Sequence, residues 1–199
     1  MNYSKTVPFF LILLLFIRCS NDNTSKNLLL APDNWRGEII EFPLKFASSL
    51  TYSGTEHVRF APGWGEKDAT DYFSYVFLWE IDENPQLSIK KLETEIETYF
   101  DGLMSMVSKM NLNLFKKLPK AKAFFEKVND SVYVGKVMTY DAFTTKKEVN
   151  LNIIVDYKFC DELNKHLVLF NLSPQHPKHS IWKKMQKVTI DANCEQINN

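Results

Sequence analysis

The sequence predicts an α+β domain: a mainly antiparallel sheet of about six or seven strands, with a long amphipathic helix at about 88–110 and a short C-terminal helix at about 178–187 packed on it. Three observations predict this class. Aromatic residues make up 14% of the chain, and aromatic and β-branched side chains favour the half-buried surface of strands. Several runs alternate apolar and polar residues with period two, as strands with one buried and one wet face do. Over residues 88–110 the period lengthens to three and four, the repeat of a helix with one apolar stripe.

The elements follow in order. "GEIIEFP", residues 37–43, is a short strand closed by Pro43, and "LKFASSL" fits one helical turn or a strand edge. "GTEHVRFAPGW" starts as a strand near Glu56 and ends in the turn Ala61-Pro62-Gly63-Trp64-Gly65. "DYFSYVFLWEID" is the strongest strand pattern in the chain, stopped by Asp82-Glu83-Asn84-Pro85. Ser88 then caps a helix whose stripe is Leu92, Ile96, Tyr99, Leu103, Met106 and Met110, with Glu93, Glu95, Glu97 and Lys109 off it. "KAFFEKV" leads to the Asn129-Asp130 turn, and "SVYVGKVMTYDAF" and "EVNLNIIVDYKF" form a hairpin around residues 144–147. In the last of these, Val149, Leu151, Ile153, Val155, Tyr157 and Phe159 face one way. "KHLVLFNLS" is a further strand, and "HSIWKKMQKVTI" a short helix carrying Ile181, Trp182, Met185 and Val188.

The beginning of the chain reads as a leader. A polar start with Lys5 precedes an apolar run over residues 7–17, shorter than the roughly 20 residues that span a bilayer and of the length of a signal-peptide core. Phe16-Ile17-Arg18-Cys19 resembles a lipobox, the cleavage site of bacterial lipoproteins. Phe16 stands where Leu is commonest and Arg18 where a small residue is usual, a departure that bears on cleavage. The resemblance implies a signal peptide over 1–18, acylation of Cys19, a polar tether over 19–34 and a single domain over 35–199. It also implies a membrane partner through the lipid and a place at the cell envelope, on the outer membrane, facing the periplasm or the surface. An uncleaved anchor or a buried apolar segment is the alternative reading of the same run. Within the body, Trp182 to Ile190 resembles the closing helix of PsbP/Mog1-like domains. "VRFAPGW" and "YVFLWEI", within residues 35–103, resemble exported bacterial proteins of unassigned function. Neither resemblance implies an activity.

Charge narrows the partners. The chain carries 24 basic and 24 acidic side chains, and losing residues 1–18 removes Lys5 and Arg18 but no acid. Nucleic acid is therefore disfavoured, since phosphate neutralisation calls for a basic excess or stripe. Beside Cys19, Cys160 and Cys194 are an even remainder, which an oxidising compartment would allow to pair as a disulfide; two separate thiols are the alternative.

No nucleophile motif is present, and no catalytic residue, metal or cofactor is assigned. His176 and His179 flank Pro177 in a polar loop without further ligands nearby, short of what zinc requires. His57 and Arg59 share one face of their strand and could orient an anion or form an edge-strand charge pair. Phe73, Tyr75, Phe77 and Trp79 occupy alternate strand positions, a row that either packs beneath the helix or forms a stacking platform. Core is the stronger reading. The opposite row, Tyr72, Ser74, Val76, Leu78 and Glu80, is more mixed and suits partial exposure. Trp64, in a Pro-Gly turn, either caps the core or projects as an anchor, with Arg59 and Glu80 pairing near it. The candidate binding set is thus Trp64, Arg59, His57 and Glu80. The expected function is a non-enzymatic domain binding an envelope protein or a small-molecule ligand; the alternative is an envelope hydrolase whose residues converge from distant strands.

Overall fold

The computed structural model describes residues 26–110 and 117–194. The expected signal peptide over 1–18 and the lipid site at Cys19 lie outside the described residues. The elements are β1 (Leu29–Leu30), β2 (Arg36–Glu41), β3 (Gly54–Phe60), β4 (Tyr75–Ile81), α1 (Ile89–Met110), β5 (Lys122–Lys127), β6 (Val132–Tyr140), β7 (Glu148–Cys160), β8 (Lys165–Ser173), α2 (Ser180–Met185) and β9 (Thr189–Ile190). The architecture is α+β, with a seven-stranded sheet ordered β2-β3-β4-β8-β7-β6-β5 and a two-stranded sheet of β1 and β9. All pairings are antiparallel. Two meanders, β2–β4 and β5–β8, are joined by α1 and meet where β8 docks on β4. Among the described residues no helix is long and apolar enough to cross a membrane.

Register decides which side chains share the inner face. Glu56 stands opposite Trp79, Val58 opposite Phe77 and Phe60 opposite Tyr75. Phe77 in turn faces Phe170 on β8, with ring centroids 4.4 Å apart, and stacks on Tyr99 of α1 at 5.1 Å. The aromatic row is core, as its apolar area favours: full burial of such a side chain contributes about 1.5–3 kcal/mol. Its first member departs from the expected strand. Phe73 has φ +49° and lies in a turn, because residues 61–74 close on themselves before β4 begins.

Helix α1 matches the expected span, but its buried side shifts along its length. Leu92, Ile96 and Tyr99 are buried as the stripe predicts, and Phe100 and Met104 then replace Leu103 and Met106. Met110 is 74% exposed. The reason is where the helix leads. Its acids reach the edge strand β5: Asp101 Oδ1 accepts from the Ala121 N–H at 2.8 Å and Glu97 Oε1 from the Ala123 N–H at 3.1 Å. Backbone donors that would invite pairing with another chain are thereby covered.

The outer face is less exposed than its mixed composition suggests. Ser74, Val76 and Leu78 are fully buried beneath a second core containing Leu29, Trp35, Ile181, Trp182 and Met185. A disulfide joins Cys160, at the end of β7, to Cys194, tying the end of the described chain to the sheet. The tether expected over 19–34 is described from Lys26 onward, and there it is folded. Leu29 is fully buried, pairs with Ile190, and offers its carbonyl to Arg59 Nε at 2.8 Å. Leu28 and Leu29, the first two of three consecutive leucines, supply apolar area that the polar composition of the rest of the stretch hides. Leu29→Ala is expected to cost about 2–5 kcal/mol of unfolding free energy, measured by urea denaturation; a tether residue would cost nothing measurable.

Candidate functional site

The four candidate residues divide between the two faces. His57 is 3% exposed on the outer face, where its Nδ1 accepts from the Leu28 N–H at 3.1 Å and its Nε2 meets Glu80 Oε2 at 2.8 Å. An Nδ1 that accepts leaves the ring proton on Nε2, so the imidazole donates to Glu80. Arg59 holds the Leu29 carbonyl, as above. These three side chains pin the first described segment to the sheet. Arg59 and Glu80 do not pair, because Arg59 stands opposite Val76 and Glu80 opposite Thr55, four positions further along. His176 and His179 serve local structure: His176 Nδ1 accepts from the Lys178 N–H, and His179 caps α2 by accepting from the Ile181 N–H. Among the described residues no group of three or more His, Cys, Asp or Glu side chains is gathered as for a metal ion.

Trp64 lies elsewhere, on the inner side, against a cavity of about 580 Å³ between β2–β3–β4 and the C-terminal half of α1. Small-molecule sites run from roughly 300 to 1,000 Å³. Buried side chains form its floor: Glu56, Val58, Phe73, Tyr75 and Tyr99. Leu103, Met106, Val107 and Met110 overhang it from α1, which accounts for the part of the apolar stripe that the core does not use. Phe46, Phe60 and Phe143 close the sides, and the exposed Arg36, Glu38, Glu41 and Lys45 stand at the mouth.

Two close approaches shape these walls. A Cβ on Gly63 would lie 2.2 Å from Asp71 Oδ1, so only glycine lets the Trp64 turn fold onto Asp71. Trp64 is then fixed by its own N–H to the Ala61 carbonyl at 2.9 Å and by the Phe73 N–H to its carbonyl at 3.0 Å. A Cβ on Gly102 would lie 1.8 Å from the Phe46 carbonyl oxygen, so glycine there lets the loop bearing Phe46 cross the helix. Opposite, Asp141 ties down the loop bearing Phe143 by accepting from the N–H groups of Phe143 and Thr144 and from the Tyr72 hydroxyl. Burial works against its charge, but these bonds prevail and hold its pKa below the usual value.

The polar groups of the floor are unusual. Glu56 is completely buried, and it accepts from Trp79 Nε1 at 2.7 Å and from the Tyr99 hydroxyl at 3.1 Å. Burial pushes its pKa up from 4.5 to about 7; the two hydrogen bonds oppose this and the charge of Glu38 adds to it. Burial first, and Glu56 second, raise Tyr75 and Tyr99 well above the ordinary tyrosine value. Tyr75 Oη and Trp64 Nε1 are both buried without a hydrogen-bond partner among the described residues. Native interiors satisfy nearly all such groups, so two orphans in one cavity lining mark it out.

Sequence reasoning reached Trp64 and missed Glu56, whose sign was a lone acid between Thr55 and His57 on a strand facing an aromatic row. A smaller hollow of about 220 Å³ lies near the end of α1, and its Asp101 is already paired with Lys120 and Ala121. The chain was compared with protein-family models, curated proteins and solved structures, and none matches it.

The raised pKa of Glu56 makes a stability prediction. Between about 4.5 and 7 the folded carboxyl holds its proton and the unfolded one does not, so stability falls as pH rises through this window. From about pH 5 to pH 8 the wild type is expected to lose about 2–3 kcal/mol more than Glu56→Gln, read from denaturant midpoints at each pH.

Proposed function

We propose that this domain binds an apolar small molecule in the cavity beneath the C-terminal half of α1, and that it does so at the cell envelope, anchored through lipid on Cys19. The observation that carries the binding reading is a cavity of about 580 Å³ whose floor and sides are mostly aromatic and aliphatic. Burying a ligand's apolar surface there contributes about 25 cal/mol per Å² before the costs of association. Trp64 supports a small molecule over a protein partner, because its ring packs against Phe60 and Phe143 at 4.9 Å instead of projecting from the turn. The envelope part rests on the leader sequence, and the Cys160–Cys194 bond accords with an oxidising compartment.

A hydrolase is the second reading, favoured by Glu56, whose pKa near 7 suits a general acid or base. Against it, both Glu56 oxygens are already engaged by Trp79 and Tyr99. Among the described residues the lining offers no Ser, Thr, Cys or His as nucleophile, and Glu38 and Glu41 are exposed at the mouth. Binding without turnover therefore accounts for more of the geometry.

The test is the neutral fluorophore N-phenylnaphthylamine, whose emission rises on leaving water. The wild type is expected to bind it with saturation. Leu103→Trp, which fills the cavity from the half-buried side of α1, should weaken binding about tenfold or more while the far-ultraviolet circular dichroism melt stays cooperative. Met138→Lys, an exposed apolar residue outside the cavity lining, should bind as the wild type does.

A further inference from the structure

Glu56 lies in the floor of the cavity with no opposite charge to meet it. It forms no ion pair among the described residues, and its two hydrogen bonds come from neutral donors, Trp79 Nε1 and the Tyr99 hydroxyl. The other groups around it give no relief. Glu38 of β2 adds a like charge, and Tyr75 of β4 stays a neutral phenol. One turn back along α1, Glu95 is engaged by Tyr52 and Lys91. Arg36, Glu41 and Lys45 are exposed at the mouth, where water weakens their reach.

Resting on the binding reading above, we infer that ligand binding in this cavity is coupled to proton uptake by Glu56: the apolar ligand is held while the carboxyl is protonated and released as it ionises. No contact between the two is required. Glu56 is fully covered, so what a ligand changes is the medium above the floor. Solvent entering through the mouth still stabilises the ionised form across that floor, because charge interactions act beyond contact. An apolar ligand replaces the solvent with matter that cannot solvate a charge, which makes ionisation costlier. The proton comes from solvent, since an apolar ligand has none to give. Coupling of this kind is reciprocal: the factor by which ligand strengthens proton binding is the factor by which protonation strengthens ligand binding.

Burial sets the direction and the pH range. It raises the pKa of the folded carboxyl to about 7. Below that pH the carboxyl is mostly neutral with or without ligand, and affinity is level. Above it the empty protein must take up a proton to bind, so affinity falls as pH rises.

Fluorescence titration of the full chain with N-phenylnaphthylamine at about pH 6 and about pH 8 tests this. The wild type is expected to bind about 3- to 10-fold more weakly at the higher pH, the effect of one coupled proton, with a cooperative melt at both. Glu56→Gln, which cannot ionise, should bind equally at the two. Asp156→Asn removes another carboxyl that burial raises, outside the cavity lining, and should keep the wild-type difference. Calorimetry of the wild type near pH 7, in phosphate and in Tris, should show net proton uptake on binding, a readout that stands even where Glu56→Gln fails to fold. Equal wild-type affinity at both pH values, persistence of the difference in Glu56→Gln, its loss in Asp156→Asn, or absence of proton uptake would overturn the coupling while the cavity reading stands. If the fluorophore binds the wild type at neither pH, the cavity reading fails and takes the inference with it.

Discussion

One helix cannot cover a seven-stranded sheet. The sheet is about 30 Å across at the usual strand spacing, and a helix with its side chains is about 10–12 Å thick. The inner face is nevertheless apolar from Val58 on β3 to Phe125 on β5, and all of it must be shielded. Helix α1 lies towards β5 and β6, where Glu97 and Asp101 seal the edge. That choice leaves β2 and β3 to be roofed by what remains: the loop bearing Phe46, the Trp64 turn, the loop bearing Phe143 and the overhanging end of α1. Three irregular pieces and a helix end meet less closely than two regular elements, and the cavity is the space between them.

The same constraint explains why Glu56 is tolerated. Completely buried, it has Trp79 and Tyr99 as donors, both from the aromatic row and helix that form the inner core. A carboxyl so placed is mostly neutral below about pH 7, which spares the floor a buried charge at the cost of a pH-dependent stability. Its neighbours Tyr75 and Trp64 have no such provision. Polar atoms kept dry without partners are costly to the fold. On the outer face the polar groups are paired: His57 and Arg59 bond the segment at Leu28 and Leu29, and Glu80 accepts from His57.

The α+β class, the span of α1 and the strands from β2 to β8 were legible because period two and period three-to-four patterns are local properties of the chain. What lay outside that reach was relational. Leu103 and Met106 look like core in a helical stripe, and only the tilt of α1 towards β5 makes them a cavity roof. Val76 and Leu78 gave no sign that α2, β1 and β9 would cover them, since that cover comes from both ends of the described chain. Leu28 and Leu29, in the short run Leu28-Leu29-Leu30, were masked by the polar residues from Ser20 to Asn27 before them and by Asp33 and Asn34 after them. Trp64 was singled out by its Pro-Gly turn, but the direction of its ring depends on Asp71, Phe60 and Phe143 together. Glu56 required the register with Trp79 and the approach of Tyr99, neither of which is encoded in its own neighbourhood.

The central claim is that the space between α1 and β2–β4 receives an apolar ligand, and methyl nuclear magnetic resonance of the full chain tests it most directly. On titration with N-phenylnaphthylamine, the methyl groups of Ile40, Val58, Leu103 and Val107 should shift together along one saturating curve. Those of Leu78, Ile181 and Val188, in the outer core, should stay in place. Shifts centred on the outer core, or shifts that do not saturate, would contradict the account.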